Sequence, residues 1–113
     1  MTIPMTYPFL FRASLSLLAG LPPKSAAKIK EDLQSISRVA GVVNAITKEA
    51  VGNRITYMAQ MQEKTTMSEL RTVTGQLQNL FGSRLLSSGV TSVMMDGRKI
   101  PAVKVTVSLL SVV

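Results

Sequence analysis

A chain of 113 residues, 46% apolar and 17% charged, is long enough for one two-layer core and has the lean charge of a globular domain. Thirteen Lys and Arg against six Asp and Glu leave it at +7, which favours anionic neighbours. The absence of Cys and His excludes disulfides, thiolate nucleophiles, imidazole bases and the ordinary zinc and haem ligand sets.

The first element is a strand. Phe9, Phe11, Ala13, Leu15 and Leu17 alternate with Arg12, Ser14 and Ser16, the period of two that marks a half-buried strand. A secretory signal is not expected, because only Arg12 supplies the positive charge such a signal places ahead of its apolar run. Pro22 and Pro23 then open a helix, whose stripe is Ala26, Ile29, Leu33, Ile36 and Ala40 and whose end falls near Gly41. Lys28, Lys30, Glu31, Asp32 and Gln34 are expected on its solvent side.

Residues 42–62 read as two strands, VVNAIT and RITYMAQMQ, joined through KEAVGN with Gly52-Asn53 at the turn. The rival reading continues the helix to about Ala50; β-branched content and Gly41 favour the strands. A second helix opens at the capping-box pattern Thr66-Met-Ser-Glu69. Its stripe is Leu70, Val73, Leu77, Leu80 and Phe81, and Ser87–Gly89 is expected to stop it. Gly75 and Gly82 inside it imply close packing at those points. Last comes a hairpin around Asp96-Gly97, whose second arm alternates Val103, Val105, Val107 and Leu109 with Lys104, Thr106 and Ser108.

This order predicts an α+β, ferredoxin-like (split βαβ) two-layer sandwich over residues 1–113. It would have an antiparallel sheet with two helices on one face, a C-terminal β-hairpin and extended apolar termini (1–8 and 109–113). The uncovered face would carry Arg12, Ser14, Ser16, Arg54, Thr56, Gln60, Gln62, Lys104, Thr106 and Ser108. Tyr57, Phe9, Phe11 and Phe81 fall on core-facing positions, so no base-stacking platform is expected on that face.

No catalytic residues, cofactor site or metal site is expected. The six carboxylates have structural roles on helix surfaces, in turns or in the capping box, and no serine has a base. Met58, Met61, Met94 and Met95 read as core filling, although alternation puts Met94 and Met95 on opposite faces. Both ends carry apolar side chains in excess of what one domain hides, at Ile3, Met5, Leu109, Leu110, Val112 and Val113. The expectation is a non-enzymatic structural subunit of a larger complex, such as a virus or phage particle or a ring-forming machine. It would be a homo-oligomer or part of a multi-protein assembly, joined through its apolar termini and sheet edge, and located in the cytoplasm or within a particle. The alternative is a nucleic-acid-binding accessory protein gripping phosphates through Arg12, Arg54, Arg98, Lys99 and Lys104. A third reading is a small inhibitor of a host protein. No apolar run approaches the ~20 residues of a membrane helix.

Overall fold

The computed structural model describes residues 21–110, in the element order α1 (Pro23–Ser37), β1 (Val42–Val51), β2 (Arg54–Met61), α2 (Met67–Phe81), a 3-10 turn (Gly82–Arg84), β3 (Leu85–Met95) and β4 (Arg98–Ser108). The expected strand Phe9–Leu17 lies outside the described residues. The four strands make one antiparallel sheet in the order β1-β2-β4-β3. The α+β class and the antiparallel sheet are as expected, but this is not the simple ferredoxin-like order. Two hairpins, each preceded by its own helix, are joined side by side through their second strands. Among the described residues, no helix is long and apolar enough to cross a membrane.

Each helix starts and stops for an identifiable reason. At α1, Pro22 is extended and Pro23 takes the first helical position, where its missing N–H costs nothing. Ile29, Leu33 and Ile36 are buried as expected, and Asp32 is buried with them rather than facing solvent. The chain leaves the helix at Ser37, a turn earlier than expected, and Gly41 redirects it. Its φ of +84° suits glycine, and a Cβ there would stand 3.0 Å from Met61 Cε.

The capping box at α2 is present: Glu69 N–H donates to Thr66 Oγ1 at 3.2 Å, and Thr66 N–H donates to Glu69 Oε1 at 3.0 Å. Leu70, Val73, Leu77 and Phe81 face the core, but Leu80 is exposed, because it lies outside the arc those four define. The helix stops at Phe81, not at Ser87–Gly89, because Gly82 adopts φ +56° and breaks the hydrogen-bond run. Gly82 is therefore the terminator, and Leu85–Gly89 belong to β3. Gly75 has open space where a Cβ would stand, so the close packing expected there is absent.

Both hairpins close on two-residue turns. Gly52 has φ +57° at the first central position, the requirement of a type II′ turn; Asp96 and Gly97 have φ 52° and 76°, the requirement of type I′. β1 runs on through Lys48–Val51, residues expected in the connection, because the turn needs only Gly52 and Asn53. On the helix side of the sheet, Ile55, Tyr57 and Ala59 lie opposite Val107, Val105 and Val103, all fully buried. Both helices press their stripes onto this layer to form one core. Burying each Val or Ile side chain of this layer contributes about 1.5–3 kcal/mol.

The chain thus contains two αββ units of matched length. Their helices open at Pro23 and Met67 and their inner strands at Arg54 and Arg98, 44 residues apart in each case. At that offset Leu33 corresponds to Leu77 and Arg54 to Arg98, but Asp32 corresponds to Gln76 and Tyr57 to Pro101. Side-chain identity is too sparse for sequence inspection to find the repeat.

Candidate assembly edge

The register places Arg54, Thr56, Gln60, Lys104, Thr106 and Ser108 together on the sheet face away from the helices, as their spacing implied. Gln62 lies just beyond β2. Thr56 and Thr106 sit opposite each other with hydroxyls 3.0 Å apart, in a hollow of about 380 Å³ that Glu49, Ser87 and Lys104 also line. The face is less polar than expected. Met58, Ile100 and Ala102 share its parity and are buried there. The tip of the β3–β4 hairpin curls over this end, so that Gln60 Nε2 donates to Met95 Sδ at 2.7 Å and Arg98 pairs with Glu63 at 3.3 Å.

The basic residues are not gathered. Arg54 lies opposite Ser108, ten residues along β4 from Arg98, which is roughly 33 Å at about 3.3 Å per residue. Lys104 is between them on the same face, and Lys99 points to the helix side, opposite Met94. Arg12 lies outside the described residues. Tyr57 and Phe81 are buried against each other with ring centroids 6.2 Å apart, so neither is displayed on a surface.

The two outer strands differ sharply. Among the described residues, β1 pairs only with β2 and β3 only with β4, so each is an edge of the sheet. β1 carries the exposed charges Lys48 and Glu49 and two breaks in register, at Val42/Asn44 and Thr47/Glu49. Charges and bulges of this kind blunt an edge against pairing. β3 is eleven residues, LLSSGVTSVMM, with no charge and no proline. Its single break, at Leu85/Ser87, is at the start, and from Ser87 to Met95 the register is regular. Leu86, Val90, Met94 and Met95 are exposed along it; both methionines of the adjacent pair are at the surface, where one had been expected in the core.

A buried polar cluster fixes the start of this strand. Arg84, the residue before β3, donates from Nη1 and Nη2 to the two carboxylate oxygens of Asp32 at 3.0 and 2.7 Å. Its Nε donates to the carbonyl of Ser108 at 2.8 Å, and its guanidinium lies over the Phe81 ring. Tyr57 Oη donates to Asp32 Oδ2 at 2.9 Å. Burial first, and then the Asp32 carboxylate, push the Tyr57 hydroxyl far above its ordinary pKa. The hydrogen bonds to Asp32 raise that of the Arg84 guanidinium. Both carboxylate oxygens are occupied by donors, so the cluster joins α1, β2, the 3-10 turn before β3 and the end of β4, and its carboxylate is not free for a ligand.

Of the residues expected to form an assembly interface, Leu109 packs partly against the protein's own core, and its N–H donates to Asn53 O at 2.7 Å. Leu110 is exposed. Ile3, Met5, Val112 and Val113 lie outside the described residues. Sequence reading places the interface at the termini and a sheet edge but does not show the length of β3, because Ser87–Gly89 resembles a helix stop. The available signal was the absence of any charge between Arg84 and Asp96. The sequence matches no protein-family model, and no curated protein matches it.

Proposed function

We propose that the protein is a non-enzymatic structural subunit that joins a larger assembly through β3, an edge strand among the described residues. The observation that carries this reading is the contrast between a long uncharged strand at one edge and a charged, bulged strand at the other. An exposed, regular, apolar edge is an aggregation hazard that monomeric proteins suppress, and its retention favours use in pairing. The exposed Leu110 beyond β4 offers a second apolar contact.

The test is the solution mass of the full-length protein by light scattering, at low and high salt and without nucleic acid. Contacts through an uncharged edge hold or tighten as salt rises, whereas phosphate contacts weaken steeply. A mass of two chains or more that persists at high salt is the expected result. A single chain at every salt and concentration overturns the reading.

A further inference from the structure

We infer that the occupant of the β3 edge is the β3 strand of a second copy, paired antiparallel about a two-fold axis that passes beside Thr91. This rests on the assembly reading above and adds the partner and the register. Charge selects the partner first. In a chain of net charge +7, most self-contacts bring cations together. The β3 edge reduces this, because it has no charge of its own, Arg84 and Arg98 at its ends are paired within the chain, and Lys99 lies one strand further in on β4. Arg84 is paired with Asp32 at 2.7 Å and Arg98 with Glu63 at 3.3 Å.

Backbone geometry then selects the register. The two-residue turn Asp96-Gly97 closes on Met95 and Arg98 as a hydrogen-bonded pair. Alternation assigns Val93, Thr91, Gly89 and Ser87 to bonds with β4. The N–H and C=O groups of Ser88, Val90, Ser92 and Met94 therefore point away from β4. One antiparallel self-pairing uses every one of these groups: Ser88 opposite Met94 of the second copy, and Val90 opposite Ser92 of the second copy. Thr91 then faces its own counterpart as a non-hydrogen-bonded pair, and Gly89 accommodates Val93 of the second copy. The four-stranded sheet becomes one continuous sheet of twice the width, with all helices on the same side.

Thr91 is also where this arrangement can be tested, since non-hydrogen-bonded antiparallel pairs have Cα atoms about 4.5 Å apart, within reach of a disulfide. The chain has no cysteine, so Thr91→Cys introduces a unique thiol. Full-length Thr91→Cys and Met95→Cys are oxidised mildly and run on non-reducing gels, with far-UV circular dichroism confirming that each is folded. The wild-type mass is measured alongside. Thr91→Cys is expected to become mostly covalent dimer, and Met95→Cys, opposite Ser87 of the second copy, to remain uncrosslinked. A multi-chain mass with no Thr91→Cys disulfide, or with a Met95→Cys disulfide instead, overturns the two-fold register and leaves the assembly reading standing. A single-chain mass with no disulfide in either variant overturns both, and means that the edge is covered from within the chain or left free.

Discussion

The two αββ units are built to one length and finished differently. The first begins on two prolines with no side-chain cap, and its helix leads into a bulged outer strand with Lys48 and Glu49 at the surface. The second begins on a full capping box, and its helix leads into an outer strand that is regular from Ser87 to Met95 and uncharged throughout. Equal positions in the fold therefore do not face equal demands. Among the described residues, charge and bulges blunt one outer edge, and the other is regular, uncharged and unpaired on its outer side. The Asp32–Arg84 pair reinforces the asymmetry, because it anchors the start of β3, while the equivalent position before β1 is Ala40.

Removing that anchor gives the largest expected effect. In Asp32→Ala the Arg84 guanidinium loses both carboxylate bonds and Tyr57 loses its acceptor, in a site where the two charged side chains are 13% and 4% exposed. Breaking a buried pair from one side costs about 3–5 kcal/mol, and urea denaturation should show it as a lower midpoint. Removing both partners together, as Asp32→Leu with Arg84→Met, should cost less than Asp32→Ala alone, since no buried charge is left unpaired. A double variant no better than the single one would show that the cluster acts through packing rather than charge.

The edges can be exchanged in character. Val90→Lys gives β3 the charge that β1 already has, at a residue 44% exposed. Because the change is at the surface, stability of the single chain should move by no more than about 0.5 kcal/mol. Two lysines brought together in a self-paired edge should weaken association about tenfold or more, equivalent to about 1.4 kcal/mol or more. Lys48→Ser on β1 should leave the mass unchanged, because the two register breaks still interrupt the outer edge. If Lys48→Ser creates new association, the charge and not the bulges guards β1. If Val90→Lys leaves the mass unaltered, the open edge of β3 is not the joint.

Most local signals in the sequence carry through to the structure, and the long-range ones do not. The capping box, the Asp96-Gly97 turn and the period-two run from Val103 to Val107 depend on neighbours within a few residues, and all are in place. Asp32 was misread although it occupies the stripe Ile29, Asp32, Leu33, Ile36 at the right spacing. A carboxylate reads as solvent-facing until its partner is known, and Arg84 is 52 residues away. The end of α2 was misplaced because Gly82 looks like an interior glycine until its positive φ is seen, and Leu85 and Leu86 continue the apolar content. Strand order depends on which hairpin arms meet. Val103–Val107 and Ile55–Ala59 alternate equally well against any apolar neighbour, so alternation cannot select the β2–β4 pairing.

The smallest expected effects concern how the two helices begin. Thr66→Ala removes the hydroxyl that accepts from Glu69 N–H and should cost about 1 kcal/mol, whereas α1 has no side-chain cap to lose. Glu69 adds a pH dependence to α2 alone. The Thr66 backbone N–H, and then the Thr66 hydroxyl, bond its carboxylate and hold its pKa below the ordinary glutamate value. The unfolded chain therefore binds the proton first as pH falls. The contribution is fully present above the unfolded-state pKa of about 4.3 and is lost as pH drops through the lower folded-state value. Glu69→Gln keeps an acceptor for the Thr66 N–H but cannot titrate, so its stability should fall less steeply than wild type below about pH 4. Parallel acid limbs for the two proteins would mean that the box acts on the neutral carboxyl as well as on the charged one. The difference between the two helix starts would then be one of geometry and not of charge.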